Sequence, residues 1–416
     1  LYGALQNLFN FKKMKPDSTS LQAIAQGSAV FVGQDELRER LAQGKRLTVK
    51  LGVDPTRPDL TFGHWVVLGK LRQLQDLGHQ AILLIGDYTA QIGDPSGRSS
   101  TRPLLTEEEV QHNAQTYLSQ AFKILDPQQT VVRRNSEWLK PLSFSDALQL
   151  ASKMTVARML EREDFAKRYA AKSPISIVEF LYPLLQGYDS VALQADLELG
   201  GTDQLFNLLV GRALQKDYGQ PEQAVLCMPL LVGLDGVQKM SKSAGNYIAL
   251  SEDAQTMLGK VMSISDTAML DYYRLLLGYS PERLEALQHS QHPMAAKKQL
   301  ALELVARLHG PELAQAALAH FEQVFSRKEL PDHMPVVSLA QLGLAVPCRL
   351  MELLAEALGT TGLLASKKEV KRLLEQGAIK LDGLRVQDPM QMLEAPGAEG
   401  AWVVQAGKRV FVRVVP

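Results

Sequence analysis

Between Leu47 and Gly86 the chain spells out a strand, a turn, a helix and a second strand. Leu47-Thr-Val-Lys-Leu-Gly52 reads as the first strand. Asp54-Pro-Thr-Arg-Pro58 follows as a turn, because proline lacks the N–H that a sheet or helix interior needs. From about His64, Val67, Leu68, Leu71, Leu74 and Leu77 fall on one helical face, which Gly78 ends. Ala81-Ile-Leu-Leu-Ile-Gly86 is an unbroken apolar run, the pattern of a strand covered on both faces. Strands joined through a crossover helix pair in parallel, so an α/β fold is expected, with its ligand at the carboxyl ends of the strands.

Beyond this unit, a mostly helical stretch runs from about Leu104 to Tyr188, broken by a strand at Val131-Val132. Val191 to Leu199 alternates as a strand before Gly200-Gly201, and a helix is expected from near Thr202. Val225-Leu-Cys-Met228 is a further strand, followed by a loop rich in Gly, Lys and Ser from Gly233 to Gly245. Residues 251–327 have helical periodicity with breaks near Gly278 and Gly310. Pro331, Pro335 and Pro347 mark a linker, after which two helical segments split by Gly359-Thr-Thr-Gly362 lead into β-like runs around Asp382-Gly383. The expected organisation is an N-terminal extension (1–33), an α/β domain (34–245) with a helical insertion at about 135–188, a helical domain (246–330), the linker (331–347) and a small C-terminal domain (348–416).

Composition narrows the function. The longest nearly uninterrupted apolar stretch, Ala224 to Leu234, contains Pro229 and Gly233 and is too short for a bilayer span, so no membrane partner is expected. Cys227 and Cys348 have no second Cys or His at ligand spacing, which excludes a disulfide framework or zinc cluster and suits a reducing compartment. The chain begins at Leu1, and residues 1–15 carry Lys12, Lys13 and Lys15 without a signal-peptide core; a cytoplasmic location is expected. The 45 Lys+Arg balance 45 Asp+Glu, so any nucleic-acid contact must come from local clusters. Phosphate-loop, dinucleotide-fingerprint, zincin and nucleophile-elbow motifs are absent.

Three constellations carry chemistry. Gly52-Val-Asp-Pro-Thr56 and Thr61-Phe-Gly-His64 lie between a strand and a helix start, where free N–H groups and the helix dipole favour an anion; Thr56 and His64 are hydrogen-bond donors for a phosphate. Lys239-Met-Ser-Lys-Ser243 places two lysines in a Gly-flanked loop able to converge on a polyphosphate. Tyr182, Gln186 and Asp189 recur at i, i+4 and i+7 and share one helical face; Leu181, Leu184 and Leu185 around them favour a partly buried polar cluster.

On a parallel-sheet chain the first two motifs resemble the paired signatures of class I aminoacyl-tRNA synthetases. The lysine motif matches letter for letter, whereas Thr61 stands where that family has histidine. The Tyr-x3-Gln-x2-Asp cluster, Ile92-Gly-Asp-Pro-Ser-Gly97 and Gly200-Gly-Thr-Asp-Gln204 extend the likeness over about 45–250 to the tyrosyl-tRNA synthetases, in the branch with lysine at position 50. The resemblance implies a Rossmann-like catalytic domain that joins L-tyrosine to ATP. Asp94, Tyr182 and Gln186 would hold the substrate ammonium, and Asp189, with Lys50 nearby, the phenolic hydroxyl. Gly52, Asp54, Gly63, His64, Gly201, Asp203, Gln204 and Lys242 would hold ATP, with the ribose on the Gly201–Gln204 segment. Thr56, Thr61, His64, Lys239 and Lys242 would stabilise the transferring phosphoryl group, and Arg98 and Arg102 the pyrophosphate. Mg2+ would arrive with ATP, no fixed metal site being expected. The C-terminal residues resemble an S4 RNA-binding domain, with Lys367, Lys368, Lys371 and Arg372 as a cationic stripe for tRNA(Tyr). The likeness further implies a homodimer. A tryptophan-specific synthetase shares the core but lacks the S4 tail and the polar cluster; an RNA-binding protein descended from a synthetase has no need of Lys239, Lys242, Asp94 and Asp189.

Overall fold

The computed structural model describes residues 18–96, 105–290, 292–323, 334–360, 367–386, 388, 390–394, 400–407 and 410–416. Arg98, Arg102, Gly97, the extension up to residue 17 and the Lys367 side chain lie outside them. The chain forms two compact units, one up to Gln315 and one from Ala316 to Pro416.

The first unit is built on a six-stranded sheet of β1 (Val30–Val32), β2 (Thr48–Val53), β3 (Gln80–Ile85), β4 (Thr130–Arg134), β5 (Leu197–Gly201) and β6 (Ala224–Met228), in the order β1-β6-β5-β2-β3-β4. Every neighbouring pair from β6 to β4 is parallel, and β1 closes the edge antiparallel to β6. The apolar run that predicted a two-sided strand is buried throughout: Ala81, Ile82, Leu83, Leu84 and Ile85 are at most 4% exposed. The expected crossover helix runs Phe62–Asp76 and buries Trp65, Val66, Leu68, Leu71 and Leu74 against the sheet. Each such aliphatic side chain contributes about 1.5–3 kcal/mol of burial. From β2 the chain winds outward to β3 and β4, then returns to the other side as β5 and β6. This reversal leaves a crevice at the carboxyl ends of β2 and β5, where parallel sheets bind ligands.

The insertion after β4 contains helices Ser136–Leu139, Phe144–Ala151, Val156–Met159, Glu163–Ala170 and Ile177–Leu193. The last corrects the expected strand from Val191. That residue still faces inward on the helix, which ends only at Gln194 in the left-handed conformation (φ 47°), so the strand starts at Leu197. Three apolar residues, Val191 to Leu193, fit either period and could not decide it. After β6, helices Ala254–Ser263, Asp266–Leu277, Pro281–Ser290 and Pro293–His309 follow. Contrary to the boundary expected at 245/246, they belong to the same compact unit as the sheet.

In the second unit, β7 (Val336–Ser338), β9 (Ile379–Leu381), β10 (Leu384–Arg385), β12 (Trp402–Ala406) and β13 (Val410–Val415) form a sheet ordered β10-β9-β12-β13-β7, beside a short pair of β8 (Cys348–Arg349) and β11 (Met392–Leu393). The stretch expected as a linker therefore supplies an edge strand, because Val336 and Val337 pair with β13. The helix Leu350–Gly359 buries Leu350, Leu353, Leu354, Ala357 and Leu358 against Val404, Val412 and Val414. Asp382 and Gly383 both take positive φ (50° and 80°), the two-residue hairpin turn their sequence predicts. Among the described residues no helix is long and apolar enough to cross a membrane.

Candidate active site

The crevice holds a cavity of about 880 Å³ lined by the carboxyl ends of β2 and β5, the start of the Phe62–Asp76 helix, the inner face of the Ile177–Leu193 helix and the Lys239–Ser243 loop. Apart from residues outside the described set, every catalytic, ATP-binding and tyrosine-binding residue expected from sequence lines it: Lys50, Gly52, Asp54, Thr56, Thr61, Gly63, His64, Asp94, Tyr182, Gln186, Asp189, Gly201, Asp203, Gln204, Lys239 and Lys242.

Its deep end is acidic and hydrogen-bonded. Tyr182 donates its hydroxyl to Asp54 Oδ2 (2.8 Å), and Thr89 donates to Asp54 Oδ1 (2.8 Å). A Cβ on Gly86 would lie 2.0 Å from that Oδ1, so only glycine lets the Asp54 carboxylate sit here. Asp189 is 2% exposed and accepts from Trp138 Nε1 (2.8 Å) and Asn135 Nδ2 (3.4 Å). Burial pushes Asp54 and Asp189 up to about 7; the Tyr182 and Thr89 hydroxyls oppose it at Asp54, and the Lys50 ammonium opposes it at Asp189. Asp94 accepts from the Ser96 N–H (2.8 Å) and Gln204 Nε2 (3.0 Å), and Asn207 Nδ2 donates to Gln186 Oε1 (3.0 Å).

Lys50 is in the wall, with its ammonium taken up by the protein. Its Nζ lies 2.9 Å from Glu198 Oε1, 2.7 Å from Ser190 Oγ and 3.1 Å from the Gln186 carbonyl. An ammonium has three N–H groups, and the protein uses all three. The pairing follows from register, since Lys50 of β2 sits opposite Glu198 of β5. The Lys50 charge in turn opposes the rise at Asp189.

The outer end carries donors and cations. His64 Nδ1 accepts from the Thr61 backbone N–H (3.1 Å) and lies 2.9 Å from Thr61 Oγ1. A neutral ring that accepts at Nδ1 carries its proton on Nε2. Burial, reinforced by the Lys242 charge, lowers the His64 pKa to about 4 and keeps the ring neutral at physiological pH. Thr61, 2% exposed, has both its N–H and its hydroxyl on His64 Nδ1. A Cβ on Gly52 would meet nothing within 4 Å, so the bare backbone faces open cavity. Lys239 Nζ pairs with Asp203 Oδ2 (2.8 Å), while Lys242 Nζ lies 3.3 Å from Tyr117 Oη and 5.3 Å from its ring centre. Asn246 braces this loop, accepting from the Ser241 N–H (2.9 Å) and donating to the Lys239 carbonyl (3.2 Å).

Sequence reasoning missed Thr89, Asn135, Trp138, Asn207 and Tyr117. Asn135 and Trp138 share one short helix remote in sequence from Asp189, and Thr89 and Tyr117 have no spacing relation to the groups they support; Asn207, three residues after Gln204, and the rarity of tryptophan, three in the chain, are the signals that were on offer. In the second unit, Lys368, Lys371 and Arg372 are exposed on the helix Lys367–Glu375, opposite buried Val370. Among the described residues no three His, Cys, Asp or Glu converge on a metal position.

A family described as tRNA synthetases class I (W and Y) matches residues 42–326. A tyrosine–tRNA ligase of Bordetella pertussis is 55% identical over 383 residues, 91% of each chain, and one of Moorella thermoacetica is 51% identical over 413 residues, 97% of each. The structure of tyrosyl-tRNA synthetase complexed with L-tyrosine from Archaeoglobus fulgidus superposes with a TM-score of 0.59 at 24% identity, over 72% of this chain and 99% of that one. At that identity the structural likeness establishes the fold, and the sequence relatives establish the membership. The chain belongs to the class I aminoacyl-tRNA synthetases, in the tyrosyl-tRNA synthetase family.

Proposed function

We propose that this chain is a tyrosine–tRNA ligase whose cavity joins L-tyrosine to ATP, and that tyrosyl is then passed to the 3′ end of tRNA(Tyr). The observation that carries this reading is the polarity of the cavity, with buried carboxylates at its deep end and lysines at its mouth. The tyrosine ammonium suits Asp94, Tyr182 and Gln186. The phenolic hydroxyl suits Asp189, whose Trp138 and Asn135 donors hold it in place. Phenylalanine would leave that buried carboxylate without its ligand partner, at a cost of about 1–3 kcal/mol or more.

In the first step a carboxylate oxygen of tyrosine bonds to the α-phosphorus of ATP. The bond from that phosphorus to the β-phosphate oxygen breaks, and its electron pair leaves with pyrophosphate. The nucleophile is already charged, so no base is required, and catalysis is positioning and charge stabilisation. His64 donates through Nε2–H, Thr56 through its hydroxyl, and Lys239 and Lys242 neutralise the phosphates. ATP takes its place along Gly52, Asp54, Gly63, Gly201, Asp203 and Gln204, and Lys239 exchanges Asp203 for phosphate as it does so. Mg2+ enters as part of the ATP substrate. In the second step a ribose hydroxyl oxygen of tRNA bonds to the tyrosyl carbonyl carbon; the bond from that carbon to the adenylate oxygen breaks, its electron pair leaves with AMP, and the hydroxyl proton is released.

The helical segment after residue 246 and the S4-like second unit serve tRNA, with Lys367, Lys368, Lys371 and Arg372 as phosphate contacts. The insertion exposes Phe144 (79%), Val156 (63%), Tyr169 (68%) and Ile177 (80%), an apolar surface suited to a second copy of the chain in a homodimer. The cytoplasm, where translation draws on charged tRNA, is a location that suits this activity. The test is ATP–pyrophosphate exchange with tyrosine, with tryptophan and with no amino acid: exchange in the tyrosine sample alone supports the reading, and exchange that prefers tryptophan or ignores the amino acid overturns it.

A further inference from the structure

The turn that joins β2 to the Phe62–Asp76 helix contributes Arg57, exposed, to the lining of the cavity that Thr56, Tyr117 and Lys242 also line. It is held firmly. Pro55 and Pro58 fix φ on either side of Thr56 and Arg57. The Pro55 carbonyl accepts from Asn113 Nδ2 (3.0 Å), and the Pro58 carbonyl accepts from Thr116 Oγ1 (2.7 Å) and Gln120 Nε2 (2.8 Å). Gln120 Oε1 takes the Leu60 N–H in return (2.8 Å), so one helix, Glu107–Ala121, fastens the turn along its length.

The cations that line this cavity are not equivalent. Lys50 and Lys239 carry carboxylate partners, Glu198 and Asp203. Arg57 is exposed and, among the described residues, forms no ion pair or hydrogen bond. Thr61, in the same connection, brings no charge, and its hydroxyl lies on His64 Nδ1. A guanidinium on a rigid turn, with no carboxylate to surrender, is suited to two phosphate oxygens at once.

We infer that Arg57 is a further catalytic residue of the activation step, its guanidinium binding the β- and γ-phosphates of ATP and the charge that grows on the departing pyrophosphate. No proton moves in this contact; the electron pair of the breaking bond stays on pyrophosphate, which Arg57 stabilises. The inference rests on the reading of the cavity as the site of tyrosine activation.

The test uses the full chain and its Arg57→Ala and Arg57→Lys variants in ATP–pyrophosphate exchange, with tyrosine binding titrated separately in the absence of ATP. Arg57→Ala should lower kcat about 10- to 100-fold, at or below the loss of a buried oxyanion donor because this side chain is exposed, and leave tyrosine binding unchanged. Arg57→Lys should recover part of the loss, since charge is kept and the fork is not. An Arg57→Ala rate equal to the parent, or a loss accounted for by weaker tyrosine binding, overturns the inference. A parent with no tyrosine-dependent exchange instead overturns the reading on which it rests.

Discussion

Asp189 shows what burial does to a recognition residue. Its carboxyl, like that of Asp54, is raised to about 7, so the folded protein binds protons there that the unfolded chain releases near pH 4. The sign follows: these groups contribute stability at low pH that is lost as pH rises towards about 7. Denaturant midpoints of the ligand-free protein should record that loss between about pH 4 and 7, and Asp189→Asn should reduce it. Tyrosine should bind more tightly as pH rises through the same range, because its phenolic hydroxyl then donates to a charged Asp189 carboxylate; a flat titration would contradict the assignment. Lys242→Ala should slow exchange while tyrosine affinity holds, since Lys242 stands at the other end of the cavity. The polar trio Tyr182, Gln186 and Asp189 was legible because helical spacing puts all three on one face. Trp138 and Asn135 were not, because they reach Asp189 from a separate helix whose placement only the fold determines.

Elements explain what single residues cannot. The contact between β2 and β5 contains a buried ion pair, Lys50 with Glu198, completed by Ser190 and by Gln223 on the second Glu198 oxygen. Removing one partner leaves a buried charge, so Lys50→Met should cost about 3–5 kcal/mol in denaturant unfolding, and adding Glu198→Leu should return most of it. A Lys50→Met protein as stable as the parent would show that the pair is not closed to solvent. The strands themselves were readable, since β3 and β6 are nearly pure apolar runs. The helix-to-strand boundary near Gln194 was not, because Val191-Ala-Leu193 suits a helix face and a strand equally and the left-handed Gln194 carries no glycine to announce it. Register was hidden for a related reason: nothing in the sequence around Lys50 names Glu198 as its neighbour.

At the scale of the molecule, the balance of 45 basic and 45 acidic residues hides a division of labour. Cations gather at the cavity mouth and on the Lys367–Glu375 helix, and salt should weaken tRNA binding through the latter more than it slows adenylate formation. The second unit has its own core and takes its edge strand from Val336–Ser338, so a deletion that respects the fold begins before that strand rather than at residue 348. Such a truncation should retain tyrosine-dependent exchange and lose most tRNA charging; undiminished charging would remove the second unit from the reaction. The prolines that suggested a linker lie inside the second unit, which begins at Ala316, because β7 pairs with a partner near the chain's end, a long-range contact that local composition does not encode. The central claim is that one cavity reads the tyrosine hydroxyl at Asp189 while it activates the carboxylate. The most direct test is the ratio of kcat/KM for tyrosine over phenylalanine in pyrophosphate exchange, for the parent and for Asp189→Asn. A large ratio in the parent that falls steeply in the variant, chiefly through lost tyrosine activity, is predicted; a ratio that the substitution leaves unchanged would contradict the account.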